Sequence, residues 1–355
     1  MGQSTTTTGD TTRSVLVTGG GGFLGSAIVD RLSRRGDRVF SFARSFYPEL
    51  TGKVAGQIQG DICNPDQVLA ACKNMDVVFH VAAKPGVWGR YSDYYQTNVV
   101  GTQNVIDACR THQVPYLVHT SSPSVIFDGT DVEGVDESAP YSHHFHSPYQ
   151  RTKAIAERAV IAASDSQLKT IVLRPHLIWG PGDNHLVPRV IARAKTLFIV
   201  GDGNNLVDTT YIDNAADAHV LAADRLAQRP ELSGRIYFIS QGEPVRLWDM
   251  INNILRAGGL DPVTRSMPRK VARFIGGCLE LIYTILQIKQ EPKMTRFVAD
   301  ELSRSHWFDI GAAKKDLGYI PEVTMDEGLA RLEAWLRTDK NPSSHELPQA
   351  GSHDD

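Results

Sequence analysis

The chain has 355 residues, 41% hydrophobic and 22% charged, a composition of folded globular proteins and not of disordered ones. At about 150 residues per domain, this length predicts two domains or one large one. Lys and Arg total 37 against 40 Asp and Glu, a formal charge of -3, so the balance carries no electrostatic footprint for nucleic acid. Cys63, Cys72, Cys109 and Cys278 stand singly with no C-x-x-C pair, which argues against a zinc or disulfide framework and for a reducing, cytoplasmic compartment.

The N-terminal stretch lacks the basic and apolar regions of a signal peptide. Residues 1–6 fit the loose N-myristoylation pattern, but a polar, Thr-rich tail over 1–13 is the plainer reading, with a second polar tail over 339–355. Between the tails, residues 14–18 read as a strand, 23–35 as a helix and 38–43 as a second strand. Short β-branched or aromatic runs follow at 54–59, 77–81, 116–121 and 170–174, separated by helical patterns at 65–73, 94–111 and 149–163. Strands without polar alternation, separated by helices, predict a doubly wound α/β fold whose parallel sheet is covered on both faces. Ligands then bind beyond the carboxyl ends of its strands. After Pro175 the rhythm changes to loops rich in Gly, Pro and Asn, isolated helices and one strand at 235–240. The expected organisation is a Rossmann domain over 14–175 and a mainly substrate-binding region over 176–338, with 235–240 rejoining the sheet.

A glycine cluster, Gly19-Gly20-Gly21-Gly22-Phe23-Leu24-Gly25, joins the first strand to the first helix. Glycine permits a tight turn and close approach of backbone to a pyrophosphate, and the helix N-terminus adds amides and a positive dipole end. Gly19, Gly22, Phe23, Leu24 and Gly25 are therefore candidate dinucleotide contacts. An NAD site usually carries an acid about 20 residues further on. Here the second strand reads Phe40-Ser41-Phe42-Ala43-Arg44. A carboxylate would repel a 2′-phosphate and Arg44 can pair with one, so the expected cofactor is NADP(H) and not NAD(H).

Tyr149 and Lys153 stand four residues apart on one helical face. A free phenol titrates near pH ~10, and a nearby ammonium is expected to lower that value. Upstream, a strand ends at Ser121-Ser122-Pro123-Ser124, where a hydroxyl can orient a carbonyl beside the phenol. Together with the glycine turn, these residues resemble the extended short-chain dehydrogenases/reductases. The family register T-G-x-x-G-x-x-G falls on Thr18, Gly19, Gly22 and Gly25; its adenine-contacting Asp corresponds to Asp61, followed by Ile62. The segment after the fourth strand corresponds to His80-Val81-Ala82-Ala83, the helix motif to Asn98-Val99-Val100-Gly101-Thr102, and the stretch beside the nicotinamide to Arg174-Pro175. The resemblance implies a catalytic set of Ser122, Tyr149 and Lys153, with Asn98 supporting a proton-relaying water. It also implies cofactor contacts at Asp61, Ile62, Ala82, Ala83 and Pro175.

Sugar-nucleotide epimerases and dehydratases of this family usually place an Arg where Thr209 stands, to grip a diphosphate. Asn205–Asp208 with Tyr211–Asn214 instead resembles the 3β-hydroxysteroid dehydrogenase branch. Within it, residues 83–89, 122–125 and 177–185 resemble the 2-alkyl-3-oxoalkanoate reductases of bacterial long-chain olefin synthesis. The implied activity is NADPH-dependent reduction of a 3-oxo group on a long-chain 2-alkyl-3-oxo acid. The alternative is oxidation of a 3β-hydroxysteroid or a decarboxylating 4-carboxysterol reaction; an epimerase, a dehydratase or a non-catalytic dinucleotide-binding subunit ranks lower.

Lys84, Trp88, Tyr91, Ser124, His146 and Trp179 are the candidate substrate contacts, since aromatic residues suit an apolar ligand. His143, His144 and His146 cluster without matching carboxylate spacing, so no metal is expected. Residues 271–288 form the most apolar stretch, with Arg265, Arg269, Lys270 and Arg273 at its front. Glu280, Gly276 and Gly277 argue against a spanning helix. A buried lid over the pocket, or an amphipathic helix at a membrane or pathway enzyme, are the readings left, and a homodimer stays open.

Overall fold

Seven short strands line up in parallel at the centre of the computed structural model, which describes residues 12–338. They are β1 (Ser14–Thr18), β2 (Arg38–Ala43), β3 (Gly56–Gln59), β4 (Val77–His80), β5 (Tyr116–Thr120), β6 (Lys169–Pro175) and β7 (Arg235–Ile239). Their spatial order is β7-β6-β5-β4-β1-β2-β3, every neighbouring pair parallel. The order reverses between β1 and β4, the crevice where doubly wound sheets bind ligands. The readings made for residues 1–11 and 339–355 lie outside the described residues.

The strands lack polar alternation because both faces are covered. Val15, Val17, Val77, Phe79, Val118, Ile171 and Leu173 point into one core, while Leu16, Val78, Leu117 and Val172, alternating with them, point into the other. Helix α1 (Phe23–Arg34) packs on Ile212–Gln228 on the first side; Pro65–Ala71, Gly101–Thr111 and α2 (Pro148–Ala162) cover the second.

The helix expected over 94–111 begins earlier, at Tyr91, and is interrupted by a π-helical turn at Gln96–Val100. Asn98 lies within that turn and is buried, and such turns are frequent at functional sites. A four-stranded sheet joins Val245–Arg246, Leu206–Val207, His306–Phe308 and Val132–Val135. It therefore stitches a loop lying between β5 and β6 to the C-terminal part of the chain. Arg235–Ile239 pairs with β6 as the last strand of the main sheet.

Candidate active site

A cavity of about 600 Å³ runs along the carboxyl ends of the strands, from the glycine turn to Tyr149 and Lys153. At one end Gly19 holds φ +70, and a Cβ on Gly25 would lie 2.0 Å from the Gly19 carbonyl oxygen. Only hydrogen fits there. Helix α1 opens at Gly22 with no side-chain cap and no acid in its first turn, so its amides remain available to an anion. Gly19, Gly22, Phe23, Leu24, Gly25, Arg44, Asp61, Ile62, Ala82, Ala83 and Pro175 all line this one cavity. The cradle that a Cβ would fill, together with the uncapped amides, fits a dinucleotide.

Two anchors hold the 81–85 loop in the cavity wall. Thr18 Oγ1 accepts from the backbone amides of Val81 and Ala82, each at 3.2 Å, and is bonded to the His80 ring at 2.9 Å. Asn98 Oδ1 accepts from Lys84 N at 2.7 Å, while its Nδ2 donates to Lys84 O at 3.2 Å and to Thr152 Oγ1 at 3.1 Å. Asn98 thus ties the loop to α2.

The start of α2 sets the phenol. Ser147 and Gln150 form a capping box, with Pro148 in the first turn. Gln150, fully buried, also donates to the carbonyls of Ser124 and Phe127, each at 3.0 Å. It couples the Ser122 turn to the Tyr149 helix, a role the sequence motifs did not flag. Ser122 Oγ itself accepts from Ser124 N at 3.2 Å.

Electrostatics at the phenol depart from expectation. Burial pushes the Tyr149 phenol up to about 12, Ser122 hydrogen bonding works the other way, and the Glu301 charge raises it further. Lys153 does not depress it. Its ammonium donates to Thr120 O at 2.5 Å, and burial brings its own value down to about 8 against the pull of Glu157. The cause of the reversal is desolvation, which disfavours the charged form of both groups. Beneath Lys153, burial and the ammonium hold His80 at about 3 and His119 well below the ordinary histidine value.

Glu301 is the residue that sequence reasoning missed. Burial alone raises its carboxyl to about 8, and its side chain has no hydrogen-bond or ion-pair partner among the described residues. It lies far along the chain in no recognised motif, so nothing local marks it. Leu177, Ile178, Asn184 and His185, within the 177–185 stretch that carries the resemblance, also line the cavity, although none was singled out as a contact. Leu177 holds φ +40, a left-handed conformation costly for a branched residue and characteristic of functional walls.

Of the six substrate candidates, only Lys84 lines the cavity. Trp179 is fully buried, donates to Thr209 Oγ1 at 3.2 Å and packs edge-on against Tyr211 at 5.3 Å; core packing claims it. Trp88 donates to Ile288 O at 3.2 Å and meets Tyr283 edge-on, outside the cavity. Tyr91 is exposed beneath the Arg151 guanidinium, and His146 is exposed on a loop where its ring bonds Asp128 O at 2.8 Å. The Ser124 hydroxyl is buried without a partner.

The sequence model of the 3-beta hydroxysteroid dehydrogenase/isomerase family matches residues 16–269. The chain belongs to that family. It is an extended short-chain dehydrogenase/reductase, an oxidoreductase fold with a nicotinamide dinucleotide cradle. The chain is 49% identical over 324 residues to the 2-alkyl-3-oxoalkanoate reductase of Stenotrophomonas maltophilia, covering 90% of this chain and 98% of that one. It is 51% identical over 330 residues to the protein of the same name from Shewanella oneidensis, covering 90% and 85%. Among solved structures, MoeE5 in complex with UDP-glucose and NAD superposes with a TM-score of 0.71 at 28% identity, covering 91% of this chain and 98% of that one.

MoeE5 was solved with NAD in both its UDP-glucose and UDP-glucuronic acid complexes. This overturns the NADP(H) preference read from Arg44. Arg44 is exposed, has no hydrogen-bond or ion-pair partner among the described residues, and is the one lining cation at the β2 end of the cavity. An absent acid removes a repulsion; it does not by itself build a phosphate site. Thr209, the position compared above with a diphosphate-gripping Arg, is buried, and its Oγ1 accepts from Trp179 Nε1 at 3.2 Å.

Proposed function

We propose that the protein reduces the 3-oxo group of a long-chain 2-alkyl-3-oxo acid to the 3-hydroxy acid, with NAD as the cofactor type. The observation that carries this reading is that Ser122, Tyr149 and Lys153 line one wall of the same cavity that begins at the glycine turn. Half-identity to two 2-alkyl-3-oxoalkanoate reductases over nine-tenths of the chain supports the substrate class.

The reduced dinucleotide, when bound, supplies a hydride to the carbonyl carbon. Tyr149 gives its proton to the carbonyl oxygen, which becomes the hydroxyl. Ser122 orients that oxygen by hydrogen bonding, and Lys153, anchored on Thr120 O, holds the cofactor side of the phenol. Asn98 acts as a positioning residue through Lys84 and Thr152, and supports a relaying water. Among the described residues no helix is long and apolar enough to cross a membrane. We place the protein in the reducing cytoplasm, with residues 271–288 as its contact surface toward a membrane or a pathway enzyme.

The test is a pair of assays run side by side. One follows NADH consumption with a 2-alkyl-3-oxo acid; the other follows NAD reduction with a 3β-hydroxysteroid and a 4-carboxysterol. Turnover with the 3-oxo acid is expected. Turnover with the steroid alone would replace this reading with the dehydrogenase one.

A further inference from the structure

Helix α3 (Arg269–Ile285) is amphipathic the wrong way round for a buried element. Only Ala272 and Gly276 on it are buried. A Cβ on Gly276 would sit 2.6 Å from the Thr295 carbonyl carbon and 2.8 Å from Arg296 N, so the helix rests its small side directly on the 295–296 backbone. Glu280 completes the anchor, accepting from Arg296 N at 2.8 Å and pairing with the Arg296 guanidinium at 2.7 Å.

The large apolar residues face outward. Phe274 is 73% exposed, Leu281 61%, Ile285 68% and Leu286 64%, with Val271 and Ile282 beside them. Positions 271, 274, 278, 281 and 285 recur at three- and four-residue steps, one continuous stripe on one face. Such a patch on a folded protein marks a binding surface.

Charge identifies the occupant. Arg269 and Arg273 turn inward onto the buried Asp300. Arg265 and Lys270 at one end, and Lys289 and Lys293 at the other, are exposed and have no ion pair among the described residues. The acids nearby are neutralised, Glu280 by Arg296 and Glu291 by Arg189. An apolar stripe flanked at both ends by unpaired cations matches the acyl boundary and headgroups of an anionic bilayer. A second copy fits poorly: with cations at both ends, parallel and antiparallel pairing alike bring like charges together.

We propose that α3 docks this protein on anionic lipid surfaces, lying in the interface with Phe274, Leu281 and Ile285 inserted and Lys270 and Lys289 on the headgroups. The choice of this helix as the contact surface rests on the function proposed above, since a long-chain substrate partitions into lipid. The docked segment also touches the loop that continues into the cavity wall: Tyr283 meets the Trp88 ring edge-on, Trp88 donates to Ile288 O, and Lys84 and Pro85, a few residues before Trp88, line the cavity.

The test is sedimentation of the full chain with phosphatidylcholine vesicles, with and without phosphatidylglycerol. The wild type is expected to pellet with the anionic vesicles at low ionic strength and to be released by salt. Phe274→Ser/Leu281→Ser/Ile285→Ser, all at exposed positions, should lower retention at least about tenfold, and Lys270→Glu/Lys289→Glu about tenfold. Circular dichroism checks that each variant is folded. Wild type left in the supernatant with anionic vesicles, or a triple variant retained like wild type, overturns the proposal. So does a wild-type dimer, unretained by vesicles, that the triple variant breaks into monomers; the face would then join two copies. Turnover of a short, dispersed 2-alkyl-3-oxo acid is read in parallel without vesicles. Its loss in the wild type sinks the proposed activity, whereas full turnover without vesicle binding sinks only the docking.

Discussion

Asn98 satisfies both backbone polar groups of Lys84, accepting from its amide at 2.7 Å and donating to its carbonyl at 3.2 Å. A side chain that mimics a strand partner in this way fixes a loop that has no strand of its own. Asn98→Ala leaves those part-buried groups unpaired, a loss of about 1–3 kcal/mol in stability. Because the loop lines the dinucleotide end as well, KM for the dinucleotide should rise more than kcat falls. Asn98→Asp keeps the acceptor and should recover part of the loss. Equal kcat and KM effects in both variants would mean that Asn98 acts on the chemistry directly.

Tyr149→Phe tests the proton donor. General acid catalysis is worth about 10²–10⁴-fold, so turnover should fall by that factor while dinucleotide binding stays near wild type. Near-normal turnover would assign the proton to another group, and Glu301 is the first to examine.

The raised carboxyl of Glu301 gives a pH dependence with a definite sign. An unfolded Glu titrates near ~4.3, the folded one at about 8. Between these values the native state keeps a proton that the unfolded state has lost. Stability therefore declines as pH rises through that window, with no contribution from this group below it and the full penalty above. Glu301→Gln removes the slope and should be more stable than wild type at pH 8 and similar at pH 4. Urea midpoints measured across the window decide this; parallel curves for the two proteins would reject a protonated Glu301.

Arg174 and Glu157 form a fully buried pair, with Arg174 Nη2 2.5 Å and Nε 3.1 Å from the carboxylate, which also accepts from Tyr141 at 2.7 Å. Removing one partner should destabilise by about 3–5 kcal/mol, because the other charge is left buried and alone. Arg174→Met should behave so, and Arg174→Met/Glu157→Met should regain most of it. Glu157 also raises the Lys153 value, so Glu157→Gln should move any Lys153-dependent limb of the pH–rate profile to lower pH. An unmoved limb would separate the ion pair from the site.

Much of the sheet was legible because a parallel sheet covered on both faces needs uninterrupted apolar strands, and runs such as Val15-Leu16-Val17 or Ile171-Val172-Leu173 have few other uses. The glycine turn was legible for a steric reason: a Cβ on Gly25 would collide with the Gly19 carbonyl. Cofactor choice was misread at Arg44, since one exposed cation at a strand end does not specify which phosphate, if any, it meets. Among the aromatic substrate candidates, Trp179 turns into the core against Thr209 and Tyr211, a direction that its place in the sequence did not specify.

By itself the sequence determined which residues could meet at the crevice, through strand hydrophobicity, glycine sterics and the four-residue spacing of Tyr149 and Lys153. Only the tertiary structure decided how those residues titrate. The charge of Glu301, on a helix distant in sequence, raises the phenol, and burial raises it where a lowering by Lys153 was expected. The apolar run at 271–288 is the plainest case. Its composition served a buried lid and a surface helix equally well, because periodicity defines a stripe and not what covers it. Packing of Ala272 and Gly276 on the 295–296 backbone turned the small side inward and left the large one facing out.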